Sequence, residues 1–148
     1  GSVSVEMALR ADQGQVFAVE KKDDAVALLY ENKQRFAADN LEIIKGEAPE
    51  ALKELPVPTH AFIGGSSGNL KEIVALLLEK NRDVRIVINC ITLETISEAL
   101  EILKEYDFAD QEAVQLTASR SKEIGRYHLM MGENPIYIIT CQKREEKK

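Results

Sequence analysis

Apolar positions along the chain switch repeatedly between a strand-like run and a helical stripe. Gln15–Glu20 is a short apolar run bounded by Gly14 and a charged turn, and it predicts a buried strand. Asp23–Ala37 follows with helical spacing, Asp23 as cap and Val26, Leu29 and Phe36 near one face. Leu41–Lys45 predicts the next strand, then Gly46-Glu47-Ala48-Pro49 and a helical turn around Glu50–Leu55 that ends at Pro56. His60–Ile63 predicts a third strand. Asn69–Lys80 predicts a helix with Leu70, Ile73, Val74, Leu77 and Leu78 inward and a capping-box-like Asn69/Glu72 pair. Val84–Cys90 is the strongest strand signal. Thr92 then caps a helix whose stripe is Leu93, Ile96, Leu100 and Leu103. Glu112–Ser119 and Ile136–Cys141 are the last strands, joined by a loop of about 16 residues with no helical pattern.

Strands alternating with helices imply a mostly parallel sheet with right-handed crossovers. The last two strands lack a helical crossover and are expected to be antiparallel neighbours. Such a sheet resembles the class I S-adenosylmethionine (SAM) methyltransferase fold, a Rossmann-like α/β architecture with a terminal antiparallel β-hairpin. A fold of this type opens on a strand and a glycine-rich turn, whereas this chain opens on helix-like Gly1–Leu9. The expectation is therefore that the first strand and most of the glycine loop are missing, with Gly1-Ser2 either the end of that loop or an expression remnant.

Composition narrows the class. A chain of 148 residues, 45% hydrophobic and 30% charged, makes one domain with a real core. Residues 1–142 form that domain and 143–148 a charged tail. The net charge of −6 and the absence of tryptophan disfavour a nucleic-acid partner. No run approaches the roughly 18 apolar residues of a membrane span. Two cysteines, Cys90 and Cys141, make neither a disulfide framework nor a metal site. A reducing cytoplasm is the default expectation, and the two thiols are expected on the order of 15 Å apart.

Several residues stand where chemistry is expected. Thr59–Asn69 (Thr-His-Ala-Phe-Ile-Gly-Gly-Ser-Ser-Gly-Asn) is a strand-turn-helix junction whose glycines let a ligand approach the backbone. Glu20, at a strand end, is either an acceptor for a ribose diol or a turn carboxylate beside two solvated lysines, Lys21 and Lys22. Asn89, on a buried strand, either ties down a loop or faces a crevice. Thr92 reads as a helix cap and Glu94 as a first-turn carboxylate. The segment Arg120–Pro135 gathers Arg120, Lys122, Arg126 and His128 in an acidic chain; it is either a solvated hairpin loop or a site for anionic groups.

Five stretches in order carry a more specific resemblance: Gly1–Glu6, Gly46–Glu50, Phe62–Gly68, Val87–Glu94 and Ser119–Lys122 with Tyr127-His128 and Asn134-Pro135. With them the sequence resembles the decarboxylating precorrin methyltransferase family of cobalamin biosynthesis. The resemblance covers all but the tail, and departs at the missing first strand and at His60, where an acidic residue is expected. It implies SAM as cofactor, with Gly1, Glu20, Glu47, Ala48, Gly64 and Gly65 as its binding residues, Glu20 at the ribose and Glu47-Ala48 at the adenine. It implies a precorrin or cobalt-precorrin tetrapyrrole as substrate, held by Arg120, Arg126, Tyr127 and Ser66, with His128 and Asn89 as catalytic residues and no metal site. The reaction implied is methylation of precorrin-6B or cobalt-precorrin-6B at C15 with loss of the C12 acetate carboxyl. A homotetramer, and a C5-methyltransferase domain fused or paired, are further implications. Two other classes compete: an NAD(P)-dependent oxidoreductase, which also carries an acidic residue after its second strand, and a catalytically silent assembly module.

Overall fold

The computed structural model describes residues 1–66 and 68–143; the expected charged tail lies outside the described residues except for Lys143. The chain forms two compact units, Gly1–Pro56 and the part from Val57 onward.

The first unit runs α1 (Ser2–Arg10), β1 (Val16–Glu20), α2 (Asp23–Arg35), β2 (Leu41–Lys45) and a 3-10 turn at Glu50–Leu52. β1 and β2 pair in parallel from Val16↔Leu41 to Glu20↔Lys45, as a helical crossover demands. Val5 and Ala8, three apart, share one face of α1, and Val16 and Ala18, two apart, share one face of β1. With Leu29, Ala38 and Leu41 they close the core. The Asn40 side-chain amide donates to the carbonyls of Ala8, Ala11 and Gly14 at 2.9, 2.9 and 3.0 Å, partnering acceptors that a helix end leaves over.

The α2 expectations need correction. Its N-cap is Lys22, without a side-chain cap bond. Asp23 is the first helical residue, where the helix dipole favours a carboxylate, and it pairs with Lys45. Phe36 falls past the helix and is 48% exposed. There the chain closes a Schellman motif: Ala38 N–H donates to Lys33 O at 3.0 Å and Ala37 N–H to Gln34 O at 3.2 Å. Ala37 sits at φ 49°, the left-handed region that glycine usually fills.

The second unit contains a four-stranded sheet ordered β3 (His60–Ile63), β4 (Arg85–Cys90), β8 (Ile136–Gln142), β5 (Asp110–Leu116). β3 and β4 are parallel, and β8 runs antiparallel between β4 and β5, as expected for strands without a helical crossover. One sheet face carries Ile63, Ile86, Ile88, Cys90, Ile139 and Cys141, all buried. Buried Leu70, Ile73, Val74 and Leu77 of α3 (Leu70–Lys80) and Ala99 and Ile102 of α4 (Leu93–Glu105) complete that core. Asn69 is the α3 N-cap by backbone alone, without the expected side-chain bond. Thr92 caps α4 as expected, its Oγ1 accepting from Thr95 N–H at 3.2 Å. The expected α4 stripe is rotated: Leu93 is 79% and Leu100 46% exposed. Small Ala99 lets the helix approach the sheet on the neighbouring stripe instead.

The expected long loop is folded. β6 (Ser119–Ile124) and β7 (Tyr127–Gly132) pair antiparallel around a two-residue turn, Gly125-Arg126. Gly125 has φ 62° while Arg126 does not share the positive region, the pattern of a type II′ turn. Ser119 accordingly opens β6 instead of ending the preceding strand.

Cys90 lies opposite Tyr137 and Cys141 opposite Ile86, four register steps apart, roughly 13 Å by strand rise. Both thiols are free and buried, and burial pushes Cys141 up to about 11.

Two stability predictions follow from these features. Ala37→Gly relieves the left-handed alanine and should stabilise the chain by about 1 kcal/mol in a denaturant titration; a loss of stability contradicts the motif. Because the unfolded chain releases the Cys141 proton before the folded chain does, stability should fall as pH rises from the ordinary thiol range of about 8.5 toward 11. The urea midpoint of Cys141→Val should fall less over that window, and an identical fall contradicts the assignment.

Candidate functional site

Parallel strands end at the same edge, so β1 and β2 bring their following residues together. Glu20 ends β1, and its Oε1 accepts the N–H groups of Lys21 and Lys22, each at 2.9 Å. Its Oε2 accepts no hydrogen bond among the described residues. The Gly46 N–H donates to Glu20 O at 3.0 Å, extending the ladder beyond Lys45. A Cβ at Gly46 would lie 2.8 Å from Ala51 Cβ, so the chain can turn back here only without a side chain. Glu47 follows, its carbonyl accepting Ala51 N–H at 2.9 Å and its Oε1 paired with Lys21 Nζ at 3.0 Å. Lys21, expected to be merely solvated, therefore links the two strand ends. Ala48 leads into a cis peptide with Pro49. Gly1 stands as N-cap of α1, and a Cβ there would reach within 2.8 Å of Leu29 Cδ2.

In the second unit, a cavity of about 370 Å³ opens at the ends of β3 and β4. Gly64, Gly65, Ser66 and Asn89 line it, together with Glu94 and Glu98. Ser66 O accepts Asn69 N–H at 2.9 Å. A Cβ at Gly65 would meet nothing within 4 Å, so internal packing alone does not demand glycine there. Asn89 Oδ1 is buried without a hydrogen-bond partner, a state that costs about 1–3 kcal/mol unless a donor arrives. No lysine, arginine or histidine lines the cavity among the described residues. Glu98 was missed in the sequence; it lies one turn after Glu94, and the i, i+4 spacing was the available signal.

The remaining expected residues lie on the β6–β7 hairpin, where every residue is exposed. Register places Arg120, Lys122 and Ile124 on one face with Met131, Leu129 and Tyr127. His128 pairs across the strands with Glu123 on the opposite face, Nε2 to Oε1 3.3 Å. The single cationic cluster expected from the sequence is thus divided. Arg120 Nε lies 3.6 Å from Glu133 Oε1. Arg126 donates to Tyr127 OH at 3.0 Å with its guanidinium 5.2 Å from the ring centre.

Among the described residues, no group of three or more His, Cys, Asp or Glu side chains could hold a metal ion. No described helix is long and apolar enough to cross a membrane.

Comparison with known proteins adds the family. Residues 1–143 match the family described as "Precorrin methyltransferase domain". A curated relative from Pyrobaculum calidifontis, named probable cobalt-precorrin-6B C(15)-methyltransferase (decarboxylating), is 39% identical over 95% of this chain and 73% of its own length. The crystal structure of a precorrin-6y C5,15-methyltransferase from Geobacter metallireducens superposes with TM-score 0.86 at 33% identity, over 97% of this chain and 74% of that one. A SAM-dependent O-methyltransferase from Thermotoga maritima, TM-score 0.67 at 17% identity over 91% of this chain and 52% of that one, shares the fold alone. These matches give no support to the oxidoreductase alternative.

Removing the orphaned acceptor tests the cavity directly. Asn89→Leu should leave stability unchanged or raise it, since the acceptor that is removed has no partner to lose. A loss beyond about 1 kcal/mol in a denaturant titration would show that the amide holds the fold.

Proposed function

This chain belongs to the precorrin methyltransferase domain family, and we propose that it methylates precorrin-6B or cobalt-precorrin-6B at C15 and removes the C12 acetate carboxyl. The observation that carries this reading is Glu20: two backbone N–H groups fix one carboxylate oxygen at a strand end while the other lacks a partner among the described residues. That free carboxylate oxygen can accept from the hydroxyls of a nucleoside diol, and the orphaned Asn89 Oδ1 can accept from a ligand donor. SAM, when bound, supplies an electrophilic methyl group on a sulfonium.

The chain's own residues bind and orient. In the first unit Glu20 would hold the ribose, Glu47 and Ala48 the adenine, and Gly1 would give backbone close to the cofactor; in the second unit Gly64 and Gly65 are the proposed cofactor-binding glycines by family resemblance. Ser66 and Asn89 contact the acceptor, Asn89 Oδ1 taking a hydrogen bond that fixes its orientation. Arg120 and Arg126 clamp peripheral carboxylates, for which a planar guanidinium is suited, and Tyr127 packs on the ring. His128 exchanges a proton at Nδ1, with Glu123 orienting its imidazole through Nε2. Most of the rate then comes from positioning, because the electron-rich tetrapyrrole supplies both the carbon nucleophile and the sink for the electrons left by the departing carboxyl.

We further propose a homo-oligomer, a tetramer. Ile124, Tyr127, Leu129 and Met131 share one face of the exposed hairpin, at 50, 60, 45 and 48% exposure, and a lone two-stranded hairpin is marginal in water. A C5-methyltransferase, fused or separate, is the partner activity. The free Cys90 and Cys141 accord with a reducing cytoplasm.

Incubation with cobalt-precorrin-6B and SAM should yield a product that has gained one methyl and lost carbon dioxide by mass spectrometry. Glu20→Ala should weaken S-adenosylhomocysteine binding by about tenfold or more in calorimetry, without altering circular dichroism. Unchanged affinity contradicts the ribose role.

A further inference from the structure

We infer that Lys21 is a positioning residue that sets the Glu47 carboxylate to read the amino group of the nucleobase. The inference rests on the cofactor reading above and adds a residue to it.

Lys21 is held at both ends. Its N–H donates to Glu20 Oε1 at 2.9 Å, and its Nζ meets Glu47 Oε1 at 3.0 Å. The residue following β1 is thereby tied by its backbone to the carboxylate that ends β1 and by its side chain to the residue two past the end of β2. The pair's side chains are 44 and 55% exposed, and exposed pairs of this kind contribute only about 0–1 kcal/mol to stability. Holding the fold together is therefore not what the contact achieves. Orientation is. Glu47 carries a flexible stem, and its backbone is fixed by Ala51 N–H; with Oε1 on the ammonium, one oxygen is directed and Oε2 accepts no hydrogen bond among the described residues. The ammonium also screens the repulsion that Glu20 and Glu47 would otherwise exert at adjacent strand ends.

A carboxylate fixed this way can only accept. It favours a base whose edge presents an N–H donor, as the exocyclic amine of adenine does, and disfavours hypoxanthine, whose carbonyl stands at that position. Lys21 therefore governs discrimination between the two bases, while Glu20 governs the sugar that both share.

The test is calorimetry on the full chain with two probes, S-adenosylhomocysteine and S-inosylhomocysteine. The unaltered chain should prefer the adenosyl compound by about tenfold. Lys21→Met should lower adenosyl affinity severalfold and leave inosyl affinity unchanged, so that the preference collapses, and Lys21→Arg should restore it. High salt should erode the preference in the unaltered chain, because an exposed pair is screened. Both probes binding with a preference that Lys21→Met does not change overturns the inference and leaves the cofactor reading standing. Neither probe binding to the unaltered chain overturns that reading and this inference with it.

Discussion

Parallel pairing of β1 with β2 is the constraint on which the candidate cofactor site depends. Antiparallel neighbours would send one strand's exit to the opposite edge, whereas parallel neighbours deliver both exits to the same one. Here the ladder runs from Val16↔Leu41 to Glu20↔Lys45, and the Gly46 N–H continues it onto Glu20 O. The carboxylates of Glu20 and Glu47 are thereby fixed to one edge before any ligand is considered. Gly46 then lets the chain reverse against Ala51, where a side chain would collide.

Two parts of the second unit carry opposite chemistry. The β3–β4 cavity is lined by acceptors, with Glu94 and Glu98 as its charged side chains and Asn89 Oδ1 without a donor. The hairpin carries Arg120 and Lys122 on one face, His128 on the other and Arg126 at its turn. The peripheral carboxylates of a substrate are attracted by the hairpin and repelled by Glu94 and Glu98, while the cavity's acceptors suit N–H donors. This division gives a physical reason why the basic residues sit on an exposed hairpin within an acidic chain: the arginine forks stay accessible, each meanwhile resting on a hairpin neighbour, Glu133 or Tyr127.

Much of this was legible in the sequence where period and burial agree. β2 and β3 fall at the expected residues, and α3 is displaced by one at its start, because short apolar runs between turn residues leave little freedom. The family resemblance, carried by five ordered motifs, is matched by the family comparison. The α4 stripe misled because Leu93, Ile96, Leu100 and Leu103 mark a helical face by hydrophobicity alone, while the buried face is chosen by how closely Ala99 lets the helix approach. The hairpin misled because its strand residues are all exposed and lack a two-faced alternation; Gly125-Arg126 was the one local signal. Lys21 was illegible, since its partner Glu47 is remote in sequence and only the strand register brings them together. Asn89 was placed between two readings, and its lack of a partner favours the crevice.

The central claim is that a nucleoside docks at the ends of β1 and β2 through Glu20. Amide chemical shifts during titration with S-adenosylhomocysteine test it most directly, because Lys21 and Lys22 N–H report on the Glu20 carboxylate they both contact. Saturable shifts at those two amides and at Gly46–Ala48 are predicted; saturable binding that leaves these amides unmoved would contradict the claim.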